Sequence, residues 1–404
     1  MRILFLTDNF PPEVNAPASR TYEHCRAWVK AGADVTVVTC APNFPVGKVY
    51  EGYKNKLWQR EEMDGIHVVR VWSYVVANKG FMKRTLDFMS FSVSSFFAGL
   101  FLKCDVIVAT SPQFFTALSG RTLSFFKRKP WVMEVRDLWP ESIKTVGAVK
   151  DNLFIKYFEK EEMWCYKSAR HIVVVTNSFK EKLVERGIAS EKISVVTNGV
   201  DSDLFRPVEK DAALVSELGL EGKFVVGYIG TLGMAHKLDF VLEQAKRLED
   251  TNVHILVMGN GAEKEKLIAL KETLGVRNVS ILDAVSKREV SRYISTLDVA
   301  LINLKKSDLF KTVIPSKIFE NAAMGKPILM GVDGEAREIV EGHGAGLCFE
   351  PENGDDFIAK LSELRDGAVY EECRKGCARL AAAYDRKKLA REMLQLIEEK
   401  AGKK

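Results

Sequence analysis

The sequence predicts an α/β protein made of two doubly wound domains, and three observations carry that prediction. Short runs of β-branched and large apolar residues recur along the chain, separated by stretches of helical periodicity, which is the pattern of βαβ units and a mostly parallel sheet. Strand, loop of glycine or small residues, and helix repeat in the second half, as in a second Rossmann-like domain. At 404 residues the chain is too long for one ordinary core. Its composition, 47% hydrophobic and 28% charged with no low-complexity block, is globular throughout. A net charge of +5 is mild, and without a recognition helix, zinc finger or ribonucleoprotein signature it gives no reason to expect nucleic acid as a partner. The seven cysteines are scattered, and only Cys373 and Cys377 are close, at helical rather than metal-knuckle spacing. That pattern predicts a reducing cytoplasm and no metal site. The opening Met1 to Asp8 is too short and too quickly polar for a signal peptide.

In the first half the strands are expected at Ile3 to Leu6, Val35 to Val38, Ile66 to Val71, Val106 to Val108, Trp131 to Val135 and Ile172 to Val175. A loop from Thr7 to Arg20 follows the first of these and precedes a helix containing Tyr22 to Val29. It lacks the G-x-G-x-x-G of a nicotinamide or flavin enzyme. Its prolines and small residues shape a loop at the top of the sheet, where Asn15 and Arg20 are candidates for ligand contact; a rigid connector with a solvated arginine is the alternative. Phe81 to Lys103 is nearly apolar enough to span a bilayer, but Asp87 and four serines interrupt it. A helix lying on the membrane surface fits better, with Phe81, Phe96, Phe97 and Phe101 dipping in and Lys79, Lys83 and Arg84 meeting anionic headgroups. Phe125 to Trp131 forms a second basic and aromatic patch. Burial of both against the sheet is the plain alternative.

Strand Trp131 to Val135 runs into Arg136 and Asp137, a charged pair at the carboxyl end of a central strand. Asp137 is suited to take or orient a hydroxyl proton and Arg136 to steady an anion; a mutual ion pair is the other reading. Ile193 to Asp201 ends the last strand of this half, and dense turn chemistry places the linker between about 200 and 220. The expected division is residues 1–200, with a C-terminal helix over 380–404 crossing back, and residues 201–379.

The second half opens with strand Phe224 to Ile229 and the loop Gly230 to Lys237, whose glycines let backbone approach a ligand. Strands at Val253 to Met258 and Val279 to Leu282 follow, each with a short loop and a helix. Loops 230–237, 259–262, 283–286 and 312–320 are expected to converge on one rim. Around Ile314 to Gly325 the chain reads strand, loop, helix and strand, with Ser316 suited to cap the helix. Lys317 and Glu320, three apart, share a helical face. A capping box would need its acid at Phe319, so Glu320 is not committed to one. A cation for a diphosphate beside an acid for a vicinal diol suggests a nucleotide-sugar site. An ordinary surface Lys–Glu pair is the alternative. The tail, Tyr370 to Lys404, has apolar residues near a 3.6 period and is expected to be helical and to brace the first domain.

Across nearly its whole length the chain resembles a family 4 glycosyltransferase of the GT-B fold, two Rossmann-like domains with a deep inter-domain cleft. The resemblance rests on Phe10 to Glu13 with Ala18 to Thr21, Asp137 to Ser142, Thr197 to Asp201, Gly230 to Gly233 and Pro315 to Glu320. It is nearest to the N-acetyl-L-fucosamine transferases of bacterial O-antigen and capsule assembly. The resemblance implies retaining transfer from a UDP-sugar without metal or other cofactor. It also implies that Glu320 binds the ribose diol, Lys317 the diphosphate, backbone near Val285 the uracil, and Gly230, Thr231, Leu232 and Gly233 the phosphates, with Pro315 and Ser316 beside them. Two positions depart from the family pattern: Thr312 stands where an acid is usual, and Thr231 where an arginine is.

The expected protein is therefore a cytoplasmic enzyme, peripheral at the inner face of the bacterial cell membrane. It would carry an N-acetylated sugar, UDP-N-acetyl-L-fucosamine being the expected donor, to a polyprenyl-diphosphate-linked saccharide. A UDP-N-acetylglucosamine epimerase of the same fold and a non-catalytic nucleotide-sugar sensor or scaffold are the alternatives.

Overall fold

Strands buried on both faces read as continuous apolar runs because helices cover each side of a parallel sheet. The computed structural model describes residues 1–44, 46–76, 81–111, 113–138 and 153–402, with backbone alone at 81, 82, 153–155, 287, 288 and 309. The chain divides into two units, Met1–Asn198 with Arg386–Lys404, and Gly199–Asp385.

The first unit carries β1 (Arg2–Leu6), α1 (Ala16–Lys30), β2 (Asp34–Cys40), β3 (Trp58–Met63), β4 (Ile66–Val71) and α2 (Phe81–Phe101). It continues with β5 (Val106–Thr110), α3 (Phe114–Lys127), β6 (Trp131–Val135), α4 (Leu153–Ser168), β7 (His171–Val174), α5 (Asn177–Glu185) and β8 (Ile193–Val195). The sheet order is β3-β4-β2-β1-β5-β6-β7-β8, parallel except for the β3–β4 pair. Alternation along β1 shows the two-sided burial. Leu4 and Leu6 enter one core with Val38, Phe91 and Leu123, while Ile3 and Phe5 enter another with Trp28, Val35 and Met393. The sequence reading missed β3, because Trp58-Gln59-Arg60-Glu61-Glu62-Met63 is a polar edge strand without an apolar run.

Helix α1 begins at Ala16, inside the segment expected to be loop. Asn15 caps it, its Oδ1 accepting from the Ala18 N–H at 2.8 Å, and Pro17 fits the first turn, where N–H groups are unpaired anyway. On the other face of the unit, α2 packs on α3 through small residues. Ser92 donates to the Phe115 carbonyl at 2.8 Å, the Ser95 and Ser119 hydroxyls are 2.9 Å apart, and a Cβ at Gly99 would lie 2.4 Å from Leu123. The serines that interrupt the apolar run are thus largely a packing surface.

The second unit carries α6 (Ala212–Glu217), β9 (Phe224–Ile229), α7 (Leu238–Lys246), β10 (Val253–Met258), α8 (Lys264–Leu274), β11 (Val279–Leu282), α9 (Lys287–Thr296) and β12 (Val299–Asn303). Then come α10 (Lys317–Ala323), β13 (Ile328–Gly331), α11 (Glu335–His343), β14 (Gly346–Cys348), α12 (Gly354–Leu364) and α13 (Gly367–Ala383). Its sheet, β11-β10-β9-β12-β13-β14, is parallel throughout. Helix α6 lies within the stretch expected to be linker, capped by Asp211.

The tail is two helices rather than one. After α13, Val200 bridges to Asp385 and its N–H donates to the Tyr384 carbonyl at 3.0 Å, breaking the helix. The Tyr384 ring packs against Phe319 in the second unit, tilted, with centroids 4.7 Å apart. Leu389, Met393 and Ile397 of α14 (Arg386–Gly402) enter the first unit's core, and Trp28 Nε1 donates to the Ala390 carbonyl at 2.7 Å. The apolar period ran unbroken through a change of core.

Candidate functional site

In the second sheet the order reverses at β9, which lies between β10 and β12, and the carboxyl ends of β9 and β12 form the switch point. The loop after β9 is held there by backbone. Gly230 (φ +149°) donates to the Met258 carbonyl, and a Cβ on Gly259 would lie 1.7 Å from the Gly230 oxygen, so the two loops touch. An ion pair between Lys264 and Asp283 ties in the loop after β11. Val285 in that loop is half-buried.

Lys317, the first residue of α10, lays its side chain on Gly230. A Cβ there would stand 2.2 Å from both Cε and Nζ, so only glycine admits the lysine. The ammonium sits 3.7 Å from the centroid of the Tyr228 ring, a cation–π contact, and Tyr228 donates to the Thr231 carbonyl at 2.7 Å. Lys317 Nζ is buried and has no hydrogen-bond partner. Burial pulls its pKa down to about 7 against the opposing pull of Glu320. The expected Lys317–Glu320 proximity is therefore present. His236 lies 5.5 Å from the Tyr228 ring, and burial together with Lys317 lowers its pKa to about 4. Asn303, at the end of β12, donates to the His236 carbonyl at 3.0 Å and keeps a buried Oδ1 without a partner. Sequence reading passed over Asn303; its signal was a polar residue closing the apolar run of β12.

Two expectations about this rim change. Ser316 has helical backbone angles (φ −58°, ψ −24°) and makes no side-chain cap, because Pro315 and Ser316 already form the turn that leads into α10. Leu232 is fully buried in the core, its N–H donating to the Asn260 carbonyl and its carbonyl accepting from Glu263, so it has nothing left for a phosphate. Thr231 is exposed, Gly233 opens a short 3-10 turn, and Thr312 closes another (Asp308–Thr312) before the half-buried Pro315.

In the first unit, Arg20 is the main correction. It is buried, and its three nitrogens donate to Glu134 Oε1 at 2.9 Å, the Thr197 carbonyl at 2.6 Å and the Val196 carbonyl at 2.8 Å. Glu134 points inward from β6 and β8 ends in bare carbonyls, so this arginine is a clamp rather than a ligand contact. Asn15 is likewise spent, its Nδ2 donating to Asn9 Oδ1 at 2.6 Å while Oδ1 caps α1. Arg136 and Asp137 follow β6, and their N–H groups donate to Ser111 Oγ at 2.7 and 3.3 Å. Burial draws the Arg136 pKa down to about 10, and desolvation by its neighbours pushes that of Asp137 up although its side chain is exposed; NH1 of Arg136 is buried without a partner. Trp139 to Ser142 of the same motif, and Lys79, lie outside the described residues.

The outer face of α2 carries Leu86, Met89, Val93, Phe97 and Phe101, spaced three or four apart and all exposed. Phe97 is 57% and Phe101 81% exposed, and Phe125 and Phe126 at the end of α3 are 79% and 62% exposed. Exposed Lys83 and Arg84 stand at one end of the stripe. Phe96 is partly buried, packing edge-on against Phe126 at 5.5 Å, so it belongs to the core margin rather than the stripe. The side chain of Phe81 lies outside the described residues. Among the described residues no helix is long and apolar enough to cross a membrane.

Two Rossmann-like domains with parallel sheets are the architecture of the GT-B glycosyltransferases, and the chain belongs to glycosyltransferase family 4. Residues 18–204 match the family model "Glycosyltransferase Family 4" and residues 211–400 the model "Glycosyl transferases group 1". The chain is 26% identical over 378 residues to a protein of Escherichia coli (strain K12) named as the colanic acid biosynthesis glycosyl transferase WcaI, covering 90% of this chain and 92% of that one. It is 27% identical over 254 residues to a Bacillus subtilis (strain 168) protein named as the teichuronic acid biosynthesis glycosyltransferase TuaH, covering 61% and 62%. Among solved structures it superposes on sucrose-phosphate synthase from Thermosynechococcus elongatus (TM-score 0.76, 14% identity, 99% of this chain and 98% of that one). It also superposes on Anabaena HepE, solved in complex with UDP and glucose (TM-score 0.70, 16% identity, 99% and 100%).

Proposed function

We propose that the chain is a retaining, metal-independent transferase in bacterial surface polysaccharide synthesis. It moves an N-acetylated amino or deoxy sugar from a UDP-sugar, UDP-N-acetyl-L-fucosamine, to a polyprenyl-diphosphate-linked saccharide at the inner membrane face. The observation that carries this reading is Lys317, a buried ammonium on a glycine loop with no acceptor of its own. A site that keeps a cation unpaired is prepared for an anion. The names of WcaI and TuaH, and the UDP in the HepE complex, support the choice of pathway and nucleotide.

In this reading the diphosphate lies against Lys317 and the backbone of Gly230 and Gly233, Glu320 accepts from the ribose hydroxyls, and backbone near Val285 meets the uracil. The acceptor hydroxyl attacks on the face the diphosphate leaves, the sugar–phosphate bond breaks, and the departing phosphate takes the hydroxyl proton. The protein supplies charge stabilisation and orientation. Asp137 and Arg136 handle the acceptor, and the apolar stripe of α2 with Lys83 and Arg84 rests on an anionic membrane.

The test is thermal unfolding of the wild type, Lys317→Ala and Glu320→Ala with UDP, GDP, ADP or NAD. At 100 times its Kd a ligand adds about 2.7 kcal/mol. UDP alone should stabilise the wild type, and both variants should lose the shift. Stabilisation by another nucleotide only, or a UDP shift unchanged in both variants, refutes the assignment.

A further inference from the structure

The first sheet also has a switch point, at β1. β1 lies between β2 and β5, and Asp8 follows it by two residues. Arg136 follows β6, on the far side of β5. Neighbouring strands lie about 4.8 Å apart, so the two backbones are about 10 Å apart, within reach of an aspartate and an arginine side chain facing one ligand.

Both side chains are incomplete. Asp8 Oδ1 and Arg136 NH1 are buried without hydrogen-bond partners. Each acts electrostatically on the other, yet no ion pair joins them. Burial raises the Asp8 carboxyl, with Asn9 and Arg136 opposing. Two groups of opposite charge that stop short of each other, each with one buried atom left without a partner, carry a desolvation cost a direct pair would have reduced. A group that accepts from the guanidinium and donates to the carboxylate completes both, and a hydroxyl does this with one oxygen.

The surrounding charge argues against an anion. Glu13 and Asp87 act on Asp8 as further carboxylates, and Asp137 stands beside Arg136. Of the other cations acting on these groups, Arg20 is held by Glu134, Arg70 by Glu61, and Arg84 acts on Asp87. A phosphate beside Arg136 would face Asp8 and Asp137 and the field of Glu13 and Asp87.

We propose that Asp8 and Arg136 form a subsite for a hydroxyl of the saccharide acceptor, Arg136 donating to the hydroxyl oxygen and Asp8 accepting its proton in a hydrogen bond. This rests on the glycosyltransferase reading above and adds Asp8, a residue of the first unit.

The experiment is saturation-transfer NMR on the full chain with methyl glycosides of glucose, galactose and N-acetylglucosamine, using the wild type, Asp8→Asn and Arg136→Gln. Thermal unfolding and UDP titration of the same proteins accompany it. A hydrogen bond to a charged group is worth enough that either variant should bind the glycoside about tenfold more weakly. Asp8→Asn should unfold at the same or a higher temperature, since it removes a buried unpaired charge, and UDP binding should match the wild type. Unchanged glycoside signals in both variants, or no signal from any glycoside with the wild type, overturn the subsite. Loss of signal together with a lower unfolding temperature in Asp8→Asn assigns Asp8 a structural role and also overturns it. Absence of UDP binding by the wild type would refute the donor assignment separately, with the glycoside result still readable.

Discussion

Lys317, at the proposed nucleotide site, couples its charge state to stability. Its ammonium has a pKa of about 7 in the fold against 10.5 for an ordinary lysine, so between those values the unfolded chain holds a proton that the folded chain lacks. Stability therefore rises with pH across that window, and is lowest below about pH 7, where the buried site must carry the charge. An anion beside Lys317 restores the proton. UDP binding at pH 8 should thus take up protons, seen as a binding enthalpy that varies with the ionisation enthalpy of the buffer; Lys317→Met should abolish the variation. The same variant should raise the unfolding temperature of the free protein by roughly 2–4 °C, because methionine fills the space over Tyr228 without a charge. A lower unfolding temperature would mean that the cation–π contact outweighs desolvation.

Helix α2 has two faces with different purposes. Ser92, Ser95 and Gly99 face α3 and let the helices approach closely, whereas Leu86, Met89, Val93, Phe97 and Phe101 face outward. A contiguous apolar stripe is expensive to leave in water, and with cations at its end it suits a bilayer surface. Co-sedimentation with vesicles containing anionic lipid should fall several-fold on replacing Phe97, Phe101 and Phe125 together by serine, with the unfolding temperature almost unchanged, since these side chains support little of the core. Undiminished sedimentation would dismiss the stripe as the membrane contact. Changing Phe96 should instead destabilise the protein, because it packs on Phe126.

The two units differ in how they are built from the chain. Gly199–Asp385 is continuous, whereas the first unit needs Arg386–Lys404 to cover Trp28 and the outer side of β1. Residues 199–385 expressed alone should unfold cooperatively and keep the UDP-induced shift. Residues 1–198 alone should aggregate or fail to unfold cooperatively, and adding the 386–404 segment should rescue them. Circular dichroism melts of the fragments decide it; a well-folded 1–198 fragment would show that α14 is dispensable.

Pattern alone carried the alternation of strands and helices, the parallel class of both sheets and the Lys317–Glu320 face, because each follows from local periodicity or from spacing along one helix. Edge strand β3 escaped, since an edge strand can be polar, and the break at Tyr384 escaped because the apolar period continued while the core being packed changed. Which polar groups are spent and which are left over is a matter of distant partners. Arg20 is consumed by Glu134 and the end of β8, Asn15 by α1 and Asn9, while Lys317, Asp8, Arg136 and Asn303 keep buried atoms without partners. Residue type and spacing are identical in either case; only the three-dimensional neighbours, brought together at the carboxyl ends of strands far apart in sequence, decide whether a charged side chain braces the fold or waits for a ligand.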